Sequence, residues 1–280
     1  KRIYITGSLD SAVDLEGFKP QINSLETVLE KNKPLLQGKL IDLLLSHYSI
    51  EDLYGKSVKD KRGGSNNIHS WDIELKGSVS KDQRELLGKI MRARRNKKWA
   101  ELKGIQWMDG MPLTIAEIKT FYEHPNLQEM LDDLCHKKYL KLEHPKDVVT
   151  YVDDKGIKKQ KREYREDIEK GYNIVAGKLS YEINKVLDPK SIAPTLVATD
   201  LDRIVVPDGK GLRLLTETEQ KRLFGFPDDY QVNVKPKDAF DLFGNTVAVP
   251  VVKAVANRLL DAAFNSKECP KKTDIQLELI

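Results

Sequence analysis

The chain opens on a two-residue alternation, Ile3 and Ile5 to one side and Tyr4 to the other, which predicts a strand ended by Gly7. A turn-rich connector, 8–20, follows. Leu25, Val28 and Leu29, then Leu36, Leu40, Leu43 and Leu44, carry helical spacing. Residues 54–70 are polar around Gly63-Gly64-Ser65-Asn66-Asn67 and predict a loop, and Trp71–Leu75 alternates as a strand. Ser80 opens a helix whose buried stripe is Leu86, Leu87, Ile90 and Met91, with its arginines outward. Thr114 and Glu117 have the spacing of a capping box, and Pro125-Asn126 opens a helix with Leu127, Met130, Leu131 and Leu134 on one face. Tyr139–Leu142 is strand-like. Two further runs, Val148–Val152 and the segment from Ile157, flank Asp153-Asp154-Lys155-Gly156, a hairpin signature because Gly tolerates positive φ. Helix, helix, strand and basic hairpin are the elements of a winged helix, and equally of an unrelated α+β insertion.

Further along, Ile204–Val206 predicts a short strand stopped at Pro207-Asp208-Gly209. Thr216 is a good N-cap with Glu217 and Glu219 in the electropositive first turn, and Gly225-Phe226-Pro227 ends that helix. Gly244-Asn245 predicts a tight turn into a helix with Val247, Val251, Val255 and Leu259 as its buried stripe. The tail 265–280 is polar at first, with 275–280 able to add as an edge strand.

A composition of 40% hydrophobic and 32% charged residues in 280 suits one large or two modest folded domains rather than a disordered tail. No unbroken run of about 18 apolar residues occurs, so no membrane partner is expected. The cysteines, Cys135 and Cys269, lack disulfide-framework or metal spacing, which fits a reducing cytoplasm. His124, His136 and His144 lie near Cys135, but adjacent helical residues point apart and no metal is expected. Trp71, Trp99 and Trp107 read as core anchors, with base stacking as the alternative. The net charge of +4 says little by itself. Its distribution says more: Arg92, Arg94, Arg95, Lys97 and Lys98 form one basic cluster, and Lys158, Lys159, Lys161 and Arg162 another. Each cluster could hold a phosphate backbone or be a solvated face.

Residues 191–260 carry the most specific pattern. Arg213-x-Leu215-Thr216-x-x-Glu219-x-x-Arg222-Leu223-x-Gly225-Phe226-Pro227 resembles the ninth conserved block of the DNA (cytosine-5) methyltransferases. Ala239-Phe240-x-x-Phe243-Gly244-Asn245-Thr246-Val247-x-Val249-Pro250 resembles the tenth. Pro194-Thr195-Leu196 looks like the Thr-Leu pair closing the family's variable target-recognition region, and Arg2–Gly7 like the second half of the eighth block. Any one is weak; all of them in family order around a long variable insert are specific.

The resemblance implies an enzyme that flips cytosine out of duplex DNA and methylates C5 from S-adenosyl-L-methionine after thiolate attack at C6. It is expected to be bacterial and cytoplasmic, in a restriction-modification system. The family's nucleophile sits in a Pro-Cys pair. Here Cys135 lies in Leu-Cys-His and Cys269 in Glu-Cys-Pro, and the Phe-x-Gly-x-Gly cofactor loop is not found. The chain therefore reads as a C-terminal portion, inactive alone, whose partners are double-stranded DNA and an N-terminal catalytic half or subunit.

By resemblance, Arg2 would contact the flipped base, Asn245 and Thr246 would back the cofactor pocket, and Thr195 would touch DNA backbone. Arg213, Glu219 and Arg222 would organise the recognition domain. The implied architecture is α+β: 1–30 the end of a Rossmann-like catalytic sheet and a linker, 31–235 the target-recognition domain with the ninth block at 213–230, 236–264 the tenth-block helix returning to the catalytic domain, and 265–280 a tail. A free-standing DNA-binding module without catalysis remains the alternative.

Overall fold

The computed structural model describes residues 6, 13–18, 23–60, 64–107, 110–176, 181–196 and 198–265. The chain divides into two compact units, one of Pro34–Leu187 with Gly209–Leu212, the other of Lys1–Lys33, Asp188–Asp208 and Arg213–Ile280.

In the first unit, α1 (Lys39–His47) buries Leu40, Ile41 and Leu44. Two short strands, β1 (Ser57–Val58) and β2 (Asn67–Ile68), pair in parallel, and β7 (Lys185–Val186) adds antiparallel to β1. The main core lies under α2 (Lys81–Ala93), α3 (Lys97–Leu102), α4 (Ile115–Lys119) and α5 (Leu127–His136). Ser80 caps α2 by accepting from the Gln83 N–H while the Gln83 side chain returns to the Ser80 N–H; Thr114 and Glu117 do the same for α4. Leu86, Leu87, Ile90 and Met91 of α2 are buried with Leu127, Leu131 and Leu134 of α5, so two amphipathic faces close one core. β3 (Leu140–Glu143) pairs antiparallel with β6 (Gly171–Ile174). Between them, β4 (Lys146–Val152) and β5 (Lys158–Tyr164) form a two-stranded antiparallel ribbon around Asp153–Gly156.

The alternation at Trp71–Leu75 does not form a strand. Residues 71–76 run as successive turns, with Glu74 at φ +54° and the Leu75 N–H donating to the Ser70 carbonyl. Trp71 and Ile73 are both buried there, so alternation served the core without a partner strand. Trp71 and Trp99 are buried and Trp107 packs against the same core.

In the second unit, Leu25–Thr27 is a single 3-10 turn, and α6 (Ala198–Leu201) precedes β8 (Ile204–Asp208); a turn at 209–210 then leads into β9 (Gly211–Leu214), whose first two residues are counted with the first unit. β8 therefore runs on through Pro207 and Asp208. α7 (Glu217–Phe224), α8 (Pro236–Asn245) and α9 (Val249–Asn265) follow. Gly244 and Asn245 lie inside the last turn of α8, and the break falls at 246–248 instead. Gly244 is required by packing: a Cβ there would overlap Ala198. The stripe expected to be buried is open: Val247, just before α9, and Val251 are exposed, Val255 and Leu259 are half-buried, and the neighbouring Val252 is exposed too, because no described segment covers them. By length and composition alone Asp238–Asp261 could cross a membrane, though Asp241, Lys253 and Arg258 lie within it. The strand expected at 3–7 and the edge strand at 275–280 lie outside the described residues, apart from Thr6.

Candidate nucleic-acid interface

The ribbon β4–β5 is the most solvent-exposed regular element of the first unit. From Thr150 to Tyr164 every residue except the half-buried Asp153 is exposed, and the ribbon pairs with no third strand among the described residues. An isolated two-stranded ribbon is marginal in water, so its root must be fixed. Asp147 does this by accepting from the backbone N–H groups of Gln106, at 3.0 Å, and Trp107, at 3.3 Å, while the Arg162 guanidinium lies over the Trp107 ring at 4.6 Å. Lys159 pairs with Asp153 at 2.7 Å and Lys161 with Glu163 at 2.6 Å, and Lys158 is exposed. These exposed pairs hold little energy and would open readily to a polyanion.

The helical cluster is less uniform than the sequence implied. Arg92 is exposed and donates to the Gly88 carbonyl, Lys97 pairs with Glu101, and Lys98 lies over the Trp99 ring at 4.1 Å. Arg95 is half-buried. Arg94 does not face outward: it is 8% exposed, packs its guanidinium against Gly110 and donates to the Ile174 carbonyl. Gly110 leaves the space that a side chain would fill, so the cation turns inward and is lost to any phosphate contact.

Arg94 instead lines a cleft of about 160 Å³ with Trp107, Glu143, Lys146, Arg162 and Asn173. Asn173 is 6% exposed; its Nδ2 donates to the Gly110 carbonyl and to Glu143, and its Oδ1 has no hydrogen-bond partner among the described residues. No local pattern marks Asn173, which lies in the ordinary strand β6. Cys135 is no candidate nucleophile: burial, with Asp132 nearby, pushes its thiol up to about 11. Among the described residues no group of three or more His, Cys, Asp or Glu converges on a metal position.

In the second unit the ninth-block residues form one buried knot. Arg213 is 1% exposed and meets Glu219 through two parallel bonds of 2.9 and 2.7 Å, Asp208 at 2.9 Å and the Glu30 carbonyl at 2.6 Å. Burial opposes its charge, yet the bonds to Glu219 and Asp208 outweigh it and hold the guanidinium above its ordinary range. Glu219, fully buried, also accepts from the Thr216 and Glu30 N–H groups, which makes the α7 capping box part of the same knot. Asp208 stays below the usual carboxylate range despite burial, because Lys33, Asn32 and Arg213 all donate to it. Glu30 is lowered by the Thr216 hydroxyl and by Lys33. Arg222 pairs with Asp228 and donates to the Val28 carbonyl. Every one of these contacts holds chain to chain.

Thr195 is exposed and lies outside regular structure. Asn245, exposed, donates to the Asp241 carbonyl, and Thr246 closes α8 half-buried. Arg2 lies outside the described residues.

Residues 1–261 match the family model for the C-5 cytosine-specific DNA methylase. The chain is 54% identical over 260 residues to the Type II methyltransferase M.NlaIV of Neisseria lactamica, covering 93% of this chain and 59% of that protein. It is 53% identical, with the same coverage, to the Type II methyltransferase M.NgoBV of Neisseria gonorrhoeae. To the Type II methyltransferase M.HgiCI of Herpetosiphon aurantiacus it is 36% identical, over 94% of this chain and 61% of that protein. The chain thus spans about three fifths of the length of these relatives. A likeness to the Entamoeba histolytica methyltransferase EhMeth, at a TM-score of 0.19 and 11% identity over 51% of this chain and 59% of that one, carries no argument. On the family match and these relatives, the chain belongs to the C-5 cytosine-specific DNA methylases.

Proposed function

We propose that this chain is the DNA-recognising and cofactor-pocket-completing portion of a restriction-modification DNA (cytosine-5) methyltransferase. The observation that carries the reading is the open apolar stripe of α9, at the end of a family match that spans only about three fifths of its relatives. Water-exposed valines at helical spacing on a family member are best accounted for by a covering surface, and a catalytic sheet supplies one.

Within that enzyme the two units divide the labour. The first unit holds duplex DNA through Arg162 and through phosphate contacts from Lys158, Lys159 and Lys161 on the ribbon and from Arg92, Lys97 and Lys98 near α2 and α3. Thr195 contributes a backbone contact that positions without reading sequence. Arg2 places a fixed cation by the flipped cytosine, where negative charge develops on the ring carbonyl. The buried knot around Arg213 and Glu219 keeps the second unit rigid and takes no part in the chemistry.

Bound S-adenosyl-L-methionine supplies the methyl group. Asn245 and Thr246 suit one wall of its site: both are polar, and the Asn245 amide nitrogen is held by the Asp241 carbonyl. Two groups make a wall and not a pocket, so the rest must come from the N-terminal part.

Transfer of labelled methyl groups to duplex DNA tests this. The chain alone should incorporate none, and mixing it with a polypeptide bearing the Pro-Cys and Phe-x-Gly-x-Gly blocks should restore transfer. Incorporation by the chain alone, or a folded mixture that never transfers, would refute the division.

A further inference from the structure

The β4–β5 ribbon sorts its side chains by chemistry. Its register pairs Val148 with Arg162, Thr150 with Gln160 and Val152 with Lys158, so these lie on one face. The other face carries both carboxylates of the two strands, Asp147 and Glu163, and the two lysines tied to acids, Lys159 and Lys161. The first face has cations, an amide and methyl groups, and no carboxylate.

That segregation matches one occupant. Duplex DNA repels carboxylates, and its major groove, about 12 Å wide, admits a two-stranded ribbon. Base edges there offer acceptors to arginine at guanine, a donor and an acceptor to glutamine at adenine, and a methyl at thymine for apolar contact. Arg162 is held ready for such use. Its guanidinium lies against the Trp107 ring, and an arginine stacked on an aromatic face keeps its in-plane N–H fork available. The same face leads at its root, through Lys146 and Arg162, into the cleft where the buried Asn173 Oδ1 has no donor among the described residues.

We propose that this ribbon enters the major groove with Gln160 and Arg162 against base edges, and that Lys159 and Lys161 on the opposite face engage phosphates. The proposal rests on the DNA-recognition role argued above and deepens it by naming the residues that set sequence preference.

Duplexes selected from a randomised pool by the full 280-residue chain, followed by competition with single-base variants at fixed salt, provide the test. Gln160→Ala should relax preference at one base pair by roughly 5- to 100-fold and leave the salt dependence of binding unchanged, because it removes no charge. Arg162→Ala should relax preference at a different position and, because it removes a charge, lower the salt slope by at most about 1. The double change Lys159→Ala with Lys161→Ala should weaken all sequences alike and reduce the salt slope by about 1 per lysine. All four side chains are exposed, and melting curves identify any variant that has lost its fold. Preferences unchanged in both Gln160→Ala and Arg162→Ala, or a parent chain that binds without preference, would overturn the face assignment while leaving DNA binding intact. Preference lost in the double lysine variant would reverse the two faces. A parent chain that binds no duplex would overturn the recognition role itself.

Discussion

Arg213 and Glu219 are both removed from water, and each is tolerable only because the other is there. Desolvating either ion alone is expensive, and two parallel N–H···O bonds satisfy most of each; Thr216 and Glu30 N–H groups donate further to Glu219, and Asp208 and the Glu30 carbonyl accept further from Arg213. Glu219→Ala leaves the buried Arg213 with the Asp208 carboxylate and two backbone carbonyls, so it should cost about 3–5 kcal/mol in denaturant unfolding. A loss below 1 kcal/mol would mean that water reaches the guanidinium. The pair itself was legible, since its six-residue spacing belongs to a recognisable motif. Glu30, which accepts from Arg213 and donates to Glu219, lies 183 and 189 residues from them in sequence and left no local sign. Arg94 was misread for the same reason. Helical periodicity placed it on a polar face, and only the distant Gly110 opens the space into which it turns.

At the scale of single elements, chemistry near the helix ends was the most readable feature. Thr114, Thr216 and Ser80 all cap as their spacing demands, because a side-chain oxygen three residues before its partner N–H needs no tertiary help. Gly225 ends α7 at φ +76°, and an added Cβ would also overlap the Pro250 ring. Gly225→Ala should therefore destabilise the chain by about 1–2 kcal/mol from the left-handed backbone and by more from the overlap, as read from its thermal midpoint. An unchanged midpoint would show that the turn relaxes. Where two-residue alternation lacked a partner, as at Trp71–Leu75, it misled; where Asp153–Gly156 supplied the turn, the ribbon formed and its two faces follow from period two. The division of that ribbon into a carboxylate-free face and an acid-bearing face was present in the sequence all along. It needed only the register to be seen.

On the scale of the whole molecule, α9 matters most. Its valines were expected to be buried by simple periodicity, and the reading failed because periodicity tells which face is apolar but never what covers it. The central claim is that a catalytic sheet outside this chain covers that face. Backbone hydrogen exchange across 249–261, with and without the polypeptide that carries the nucleophile-bearing blocks, measures this directly. The amides of α9 should slow markedly in the mixture while those of 81–93, deep in the other unit, keep their rates. Unchanged exchange in α9, in a mixture that nevertheless methylates DNA, would contradict the claim.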